Sequence, residues 1–433
     1  MAERAVIPGD PMQSRAAQPE IPRRRLLWLS HLLPWPPKGG LMQRSYYLMR
    51  EVARHHELAV IAFRQRAHQA DEASFQGAKA AISEFATLMH VSELPQDRLL
   101  GGRVMLALRA LVPGLPYTIR WGISADYRKA VQAAIAQFQP DIVHFDTVSL
   151  APYLEVVGDI PVVLNHHNIE SHMLLRRAEQ EGNRLKKWYF AQEGRRLSAY
   201  ERRVARHFHT HLVCADLDAQ RLAEMAGPVP TRVVPNGVDL KYFQPAPPEA
   251  VQEPDSMIFV GGLSWYPNAS AMRFFVREVW PIIAARRPSA TLRIIGRNPP
   301  ADLQKAVAND SRIKLMGFVD NIRPEVGASM VYVCPIFDGG GTRLKMIDAM
   351  AMGKAIVAHP VAAEGLGLEN GRDVLLAEQS EDLARLCVEL FDDRDRREAL
   401  GAAARKRAED AFGFEAIGVA LSRIYAALPH PSA

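Results

Sequence analysis

The sequence predicts an α/β chain of two doubly wound domains, each built on a parallel sheet. Three observations carry this. Short apolar runs alternate with helical patterns along most of the 433 residues, the order that builds parallel sheets through helical crossovers. The alternation comes in two series, the second beginning near Met257. Between them, Gly227–Pro254 carries seven prolines and reads as a linker or hinge.

In the first series, Leu26–Ser30 is a strand, followed by a Pro/Gly turn through Gly39-Gly40. A helical pattern over Arg44–Arg54 then sets Tyr47, Leu48 and Val52 on one face. Leu58–Phe63, Ile142–Phe145, Val162–Asn165 and His211–Cys214 are further strands, while residues 66–125 show no clear order. In the second series, strands over Met257–Val260, Ala290–Ile295, Ile313–Met316, Met330–Cys334 and Ala355–Ala358 alternate with helices over Ser270–Arg286, Asn321–Ala328 and Lys345–Ala351. The expected organisation is a disordered tail over 1–22, a first domain over 23–226 and a linker over 227–254. A second domain follows over 255–412, and a helix within 413–433 packs back toward the first domain. Paired domains of this kind leave a cleft at the carboxyl ends of their strands.

Composition narrows the class. At 48% hydrophobic residues the chain can bury sizeable cores, which excludes a wholly disordered protein. Its three cysteines, Cys214, Cys334 and Cys387, are too few and too far apart for a disulfide framework or a zinc spacing, which fits a reducing cytosol. Arg23-Arg24-Arg25 before an apolar run imitates a signal peptide, but His31, Pro34, Pro36 and Pro37 interrupt the run, and a buried first strand explains it better. No apolar stretch reaches the ~18 residues of a membrane span.

The net charge is +5. Residues 170–206, one or two helices, hold 10 Lys/Arg and 5 Glu, with Leu174, Leu175, Trp188, Tyr189 and Phe190 interleaved. Two readings stand: a basic amphipathic surface for anionic lipid, making the chain cytoplasmic and peripheral on the membrane, or a charged helix face paired within itself. No nucleic-acid-binding motif accompanies the charge, so nucleic acid is not expected as a partner.

Four segments carry chemistry-bearing residues. Gly39 and Gly40 follow the first strand, where bare N–H groups at a helix start favour an anion, although the G-x-G-x-x-G dinucleotide fingerprint is absent. His166 and His167 end a strand, where open α/β sheets bind ligands. They could bond sugar hydroxyls or a developing charge, or Asn168 could simply cap a helix; no third ligand marks a metal. Pro235-Asn236-Gly237-Val238-Asp239 is a turn signal. The strongest feature is Asp338-Gly339-Gly340-Gly341-Thr342-Arg343-Leu344-Lys345: glycines at a strand end, a helix start and two cations suit a diphosphate. Asp348, farther along that helix, suits a ribose diol.

From about Arg25 onward the chain resembles the retaining glycosyltransferases of family four, which have the GT-B fold of two Rossmann-like, doubly wound domains facing a cleft. The resemblance rests on Gly39-Gly40, His166-His167-Asn168-Ile169-Glu170, Pro235–Asp239 and, most specifically, Gly340–Val357 with Glu364-Gly365-Leu366 and Asn370–Leu376. These forms look most like bacterial exopolysaccharide or cell-envelope members. The resemblance implies transfer with retention from a nucleotide diphosphate sugar to a glycan or lipid-linked acceptor, without a metal or other cofactor. His167 or His166 would steady the donor sugar, and Asp348 the ribose. The backbone near Arg297 and Val319 would meet the base. Arg343, Lys345, Gly340, Gly341 and Thr342 would hold the diphosphate, and Gly39, Gly40, Asn236, Gly262 and Asp338 would complete the substrate contacts. The chain departs from the family in two places. The family's paired Glu become Gly340 and Asp348, with Asp338 two residues before the first. The Gly261–Asn268 segment also lacks the usual cations, so Arg343 and Lys345 are expected to supply the phosphate charge. An inactive scaffold, or a sugar-nucleotide epimerase, is the alternative.

Overall fold

The computed structural model describes residues 20–431, apart from Gly39, 98–105, 107–113, 248–249 and 340–342. Most of the expected tail, together with Gly39, Gly340, Gly341 and Thr342, therefore lies outside the described residues. The described residues up to Pro235, with those from Phe414 onward, form one compact unit, and Asn236–Gly413 a second.

The first unit holds strands β1 (Arg25–Ser30), β2 (Glu57–Arg64), β3 (Thr87–Glu93), β4 (Ile142–Phe145), β5 (Val162–Asn165), β6 (Thr210–Val213) and β7 (Thr231–Val233). They pair in parallel in the order β3-β2-β1-β4-β5-β6-β7. The strands between the two edges are mostly apolar on both faces because both faces are covered, whereas the edge strands β3 and β7 are only partly buried. Leu27, Leu29, Ile61 and Phe145 enter one core, while Leu26, Trp28, Val60 and Ile142 enter the other. Helix Gly40–Val52 lies over the second core, and helix Phe414–Ala426 packs onto it. Phe414 stacks on Tyr47 at 4.6 Å, and Gly418 lies so close to Glu51 that a Cβ there would come within 2.3 Å of the Glu51 Cβ.

The proline-rich stretch 227–254 is not wholly a connector. It contains β7, which pairs with β6, and the change of unit falls at Pro235/Asn236. Pro230 and Pro235 flank this edge strand without removing any of its own N–H groups. Gly40 likewise belongs to its helix rather than to the turn before it.

The second unit holds β8 (Ser256–Val260), β9 (Thr291–Ile295), β10 (Ile313–Gly317), β11 (Val331–Cys334), β12 (Ala355–Ala358) and β13 (Leu375–Leu376), parallel in the order β10-β9-β8-β11-β12-β13. The expected helix over Ser270–Arg286 runs from Tyr266 to Arg286 with a π turn at Phe275–Val279. Pro281 has no N–H to give to Arg277, so the ladder widens there.

Lys354 is buried in this unit. Its ammonium donates to the Ser329 carbonyl, beside the buried Arg397. Burial, reinforced by Arg397, pushes it down to about 8. The unfolded chain then binds more protons between pH 8 and the ordinary lysine range, so stability from this group rises with pH across that window and is lowest below 8. Urea titrations should show Lys354→Met losing this slope, its midpoint shifting relative to wild type by the equivalent of about 3 kcal/mol between pH 7 and 10.5. Parallel pH profiles would contradict the assignment.

Candidate functional site

In both sheets the strand order reverses once, between β1 and β4 and between β8 and β11. Ligands of open α/β sheets bind at such points, beyond the carboxyl ends of the strands. In each unit, polar side chains follow those strand ends directly.

In the first unit, His31 follows β1, Asp146 follows β4, and His166 and His167 follow β5. Asp146 is fully buried, and its backbone N–H donates to Leu29 O. Its Oδ1 lies 3.3 Å from His167 Nε2 and 3.2 Å from Asn165 Nδ2. Its Oδ2 accepts from Ser45 Oγ at 2.9 Å and lies 3.4 Å from His31 Nδ1. Burial alone would raise this carboxyl, but His167 and His31 overcome it and hold Asp146 well below the usual carboxylate range. Burial pushes His167 down, against the pull of Asp146, so at neutral pH the site pairs a carboxylate with a neutral imidazole.

The structure separates the two expected histidines. His167 joins Asp146, whereas His166 Nε2 lies 3.0 Å from His211 Nδ1, whose Nε2 donates to Ala205 O at 2.9 Å. His166 is thereby committed to the interior, where burial holds it well below the ordinary histidine range. Side chains alternate along an extended chain, so neighbours at a strand end face opposite ways.

In the second unit, β8 runs into Gly261-Gly262. The backbones approach so closely here that a Cβ on Gly296 would sit 2.1 Å from Gly261 O. A Cβ on Gly261 would likewise meet Lys345 Cε at 2.9 Å, which brings the Lys345 stem from helix Leu344–Ala351 against the end of β8. Lys345 and Asp348 line a small pocket with Val260, Tyr332, Ile322 and Val326. Burial lowers the Lys345 ammonium to about 8. Arg343 is buried, and its Nη2 donates to Gly339 O at 2.8 Å and to Asp338 O at 3.2 Å, closing the turn after β11. Asp338 Oδ1 accepts the Gly339 N–H at 2.6 Å. Gly262 O accepts from Asn268 Nδ2 at 2.8 Å. Asn236 is buried at the start of the unit. The exposed Arg297 stacks its guanidinium on Phe318, 3.7 Å from the ring centre, and Val319 packs partly against the core. A guanidinium lying on an aromatic face is a flat surface on which a planar ring can stack.

Residues 38–242 match the family described as Glycosyltransferase Family 4, and residues 254–393 match Glycosyl transferases group 1. The fold agrees. Sucrose-phosphate synthase from Thermosynechococcus elongatus superposes with a TM-score of 0.68 at 16% identity, covering 93% of this chain and 98% of that one. Anabaena HepE, solved with UDP and glucose, gives 0.67 at 15% identity, covering 93% and 100%. Two doubly wound sheets of this order make the GT-B architecture of the glycosyltransferases. The two matches together take in most of the chain, which belongs to the family 4, group 1 glycosyltransferases.

Among curated relatives, a Corynebacterium glutamicum GDP-mannose-dependent monoacylated alpha-(1-6)-phosphatidylinositol monomannoside mannosyltransferase is 28% identical over 221 residues, covering 45% of this chain. An uncharacterized protein of the Klebsiella pneumoniae cps region is 23% identical over 129 residues, covering 28% of this chain. The chain spans 56% of the first relative's length and 33% of the second's.

Asp146, His31, Ser45 and Arg44 were missed in the sequence. A usable signal existed for two of them: His31 and Asp146 are polar residues directly after apolar strands. Ser45 and Arg44 sit inside a helical pattern where nothing local marks them.

Proposed function

We propose that this chain transfers a hexosyl group from a nucleotide diphosphate sugar to a glycan or lipid-linked acceptor, with retention, in exopolysaccharide or cell-envelope synthesis. The observation that carries the reading is the end of β11, where Arg343 and Lys345 stand beside glycine-bordered strand ends at the switch point. The similar proteins, one a GDP-mannose-dependent mannosyltransferase and one solved with UDP, support a nucleotide-sugar donor.

In the proposed step, the bond from the anomeric carbon to the diphosphate oxygen breaks, and the acceptor oxygen bonds to the same face. The acceptor's proton passes to the leaving diphosphate. Arg343 and Lys345 stabilise the charge that grows on that diphosphate, which is where fixed cations contribute most. Asp348 would take the ribose diol, Arg297 and Val319 the base, and His167 a sugar hydroxyl; Gly262, Asn236 and Asp338 would border the substrate. No metal or other cofactor is assigned to the step. Mass spectrometry of purified protein with UDP-, GDP- and ADP-sugars should show one donor consumed and a sugar transferred or released. Complete inertness toward all three sets would favour an inactive scaffold.

The reading extends to a peripheral contact with anionic membrane through 170–206, at the cytoplasmic face. Among the described residues no helix is long and apolar enough to cross a bilayer. The segment is a pair of helices, Glu170–Gln180 and Arg184–Ala205. At the start of the second, Leu185 and Trp188 are 80% and 60% exposed beside the exposed Arg184, Lys186 and Lys187. Apolar side chains ringed by cations suit an anionic interface. Pelleting with phosphatidylglycerol vesicles should weaken as salt rises and fall about tenfold in Leu185→Ser/Trp188→Ser. Absent or salt-insensitive pelleting would count against it.

A further inference from the structure

An ionised carboxylate only accepts hydrogen bonds. Asp146 receives them from separate elements: Ser45 Oγ from helix Gly40–Val52, and Asn165 Nδ2 and His167 Nε2 from the end of β5. The Asn165 amide has one sensible orientation, because its Oδ1 accepts from Arg44 Nη2 at 3.0 Å. Arg44 is itself held by Val234 O and Pro235 O at 2.9 and 3.0 Å. The amide's NH2 group therefore faces Asp146. With a carboxylate oxygen 3.3 Å away, a bare lone pair on His167 Nε2 would repel it, so the ring proton belongs on Nε2.

We propose that Asp146 is the positioning residue of this site: it fixes His167 as the Nε2–H tautomer, so that Nδ1 accepts a hydrogen bond from a hydroxyl of the sugar substrate. The sugar rests on the glycosyltransferase reading; the tautomer does not. Titratable and charged groups face Asp146 from every side: His31 after β1, Arg44 on its helix, Tyr127, His144 on β4, His167 after β5, and Tyr425 on helix Phe414–Ala426. Tyr425 OH lies 2.8 Å from His144 Nδ1 and Tyr127 OH donates to Ser30 O and Ile61 O, so neither competes for the carboxylate. A lone-pair nitrogen requires a hydroxyl partner, so a donor lacking that hydroxyl should be rejected.

Imidazole 15N spectra of the substrate-free protein test this, with His167 assigned by its loss in His167→Gln. The wild type is expected to carry the proton on Nε2. In Asp146→Ala the Asn165 NH2, a donor 3.4 Å from Nε2, stays in place, and the proton should move to Nδ1. Asp146→Asn, which keeps the volume, should also populate the Nδ1–H form and covers the case in which the alanine variant does not fold. Each variant should lose about 100-fold in kcat, with donor KM changed only a few-fold. A wild-type proton on Nδ1, or an unchanged tautomer in both variants with kcat within twofold, overturns the proposal. An enzyme that transfers nothing at all would instead overturn the glycosyltransferase reading, since the tautomer is read without sugar.

Discussion

Replacing Arg343 and Lys345 together by alanine is expected to abolish transfer while both units stay folded. Each cation facing a developing diphosphate contributes on the order of 10²–10³ in kcat, and the pair at least 10⁴. Arg343 also ties down the Asp338 and Gly339 carbonyls, so its alanine variant loosens the turn as well as losing charge. Arg343→Lys and Lys345→Met separate these effects, the first keeping charge without the fork and the second keeping the stem without the charge. Lys345 adds a pH signature. With its ammonium lowered to about 8 by burial, the free enzyme loses that charge as pH rises through 8, so donor KM should climb there. A bound diphosphate favours the protonated form and pulls the value back up. The climb should vanish in Lys345→Met. Normal turnover in the double variant, with its folding confirmed by circular dichroism, would defeat the diphosphate assignment.

His167→Ala should lower kcat by roughly 10²–10³, whereas His166→Ala should lower the thermal midpoint with little change in kcat. The two are adjacent in sequence but different in surroundings. His167 meets a carboxylate at the switch point, while His166 bonds His211, which in turn donates to the backbone carbonyl of Ala205 inside the core. Removing His166 takes away the partner of the buried His211 Nδ1, a cost of about 1–3 kcal/mol. Because burial lowers His167, it takes up its proton at a lower pH than an ordinary histidine does. Activity lost on acidification should therefore set in on the acid side of an ordinary histidine titration. Equal kinetic losses in the two variants would show that the functional distinction is misplaced.

Much of the fold is legible because parallel strands buried on both faces read as continuous apolar runs. Ile142–Phe145, Val162–Asn165 and Ala355–Ala358 have the expected bounds. What escaped was weakly apolar or short. Thr87–Glu93 mixes His90, Ser92 and Glu93 into an edge strand, Thr231–Val233 hides among prolines, and Leu375–Leu376 spans only two residues. The site divides the same way. The glycine-rich turn with Arg343 and Lys345 is contiguous in sequence and could be read as a unit. The Asp146 cluster draws on residues 31, 44, 45, 146, 165 and 167, which the strand order β1-β4-β5 and the helix after β1 bring together. Single polar residues gain meaning there from the neighbours a fold supplies.

Helix Phe414–Ala426 has a consequence for biosynthesis. It completes the core of the first unit, burying Leu421 and Tyr425 and reaching His144 beneath the Asp146 cluster, yet the whole of Asn236–Gly413 precedes it on the ribosome. At typical translation speeds the seven-stranded sheet waits about 10–40 s for its covering helix. During that interval Leu48, Val52 and Tyr47 are an unshielded apolar surface on an otherwise finished sheet. A nascent-chain chaperone has its natural client window there, and a prematurely terminated chain keeps that surface bare permanently.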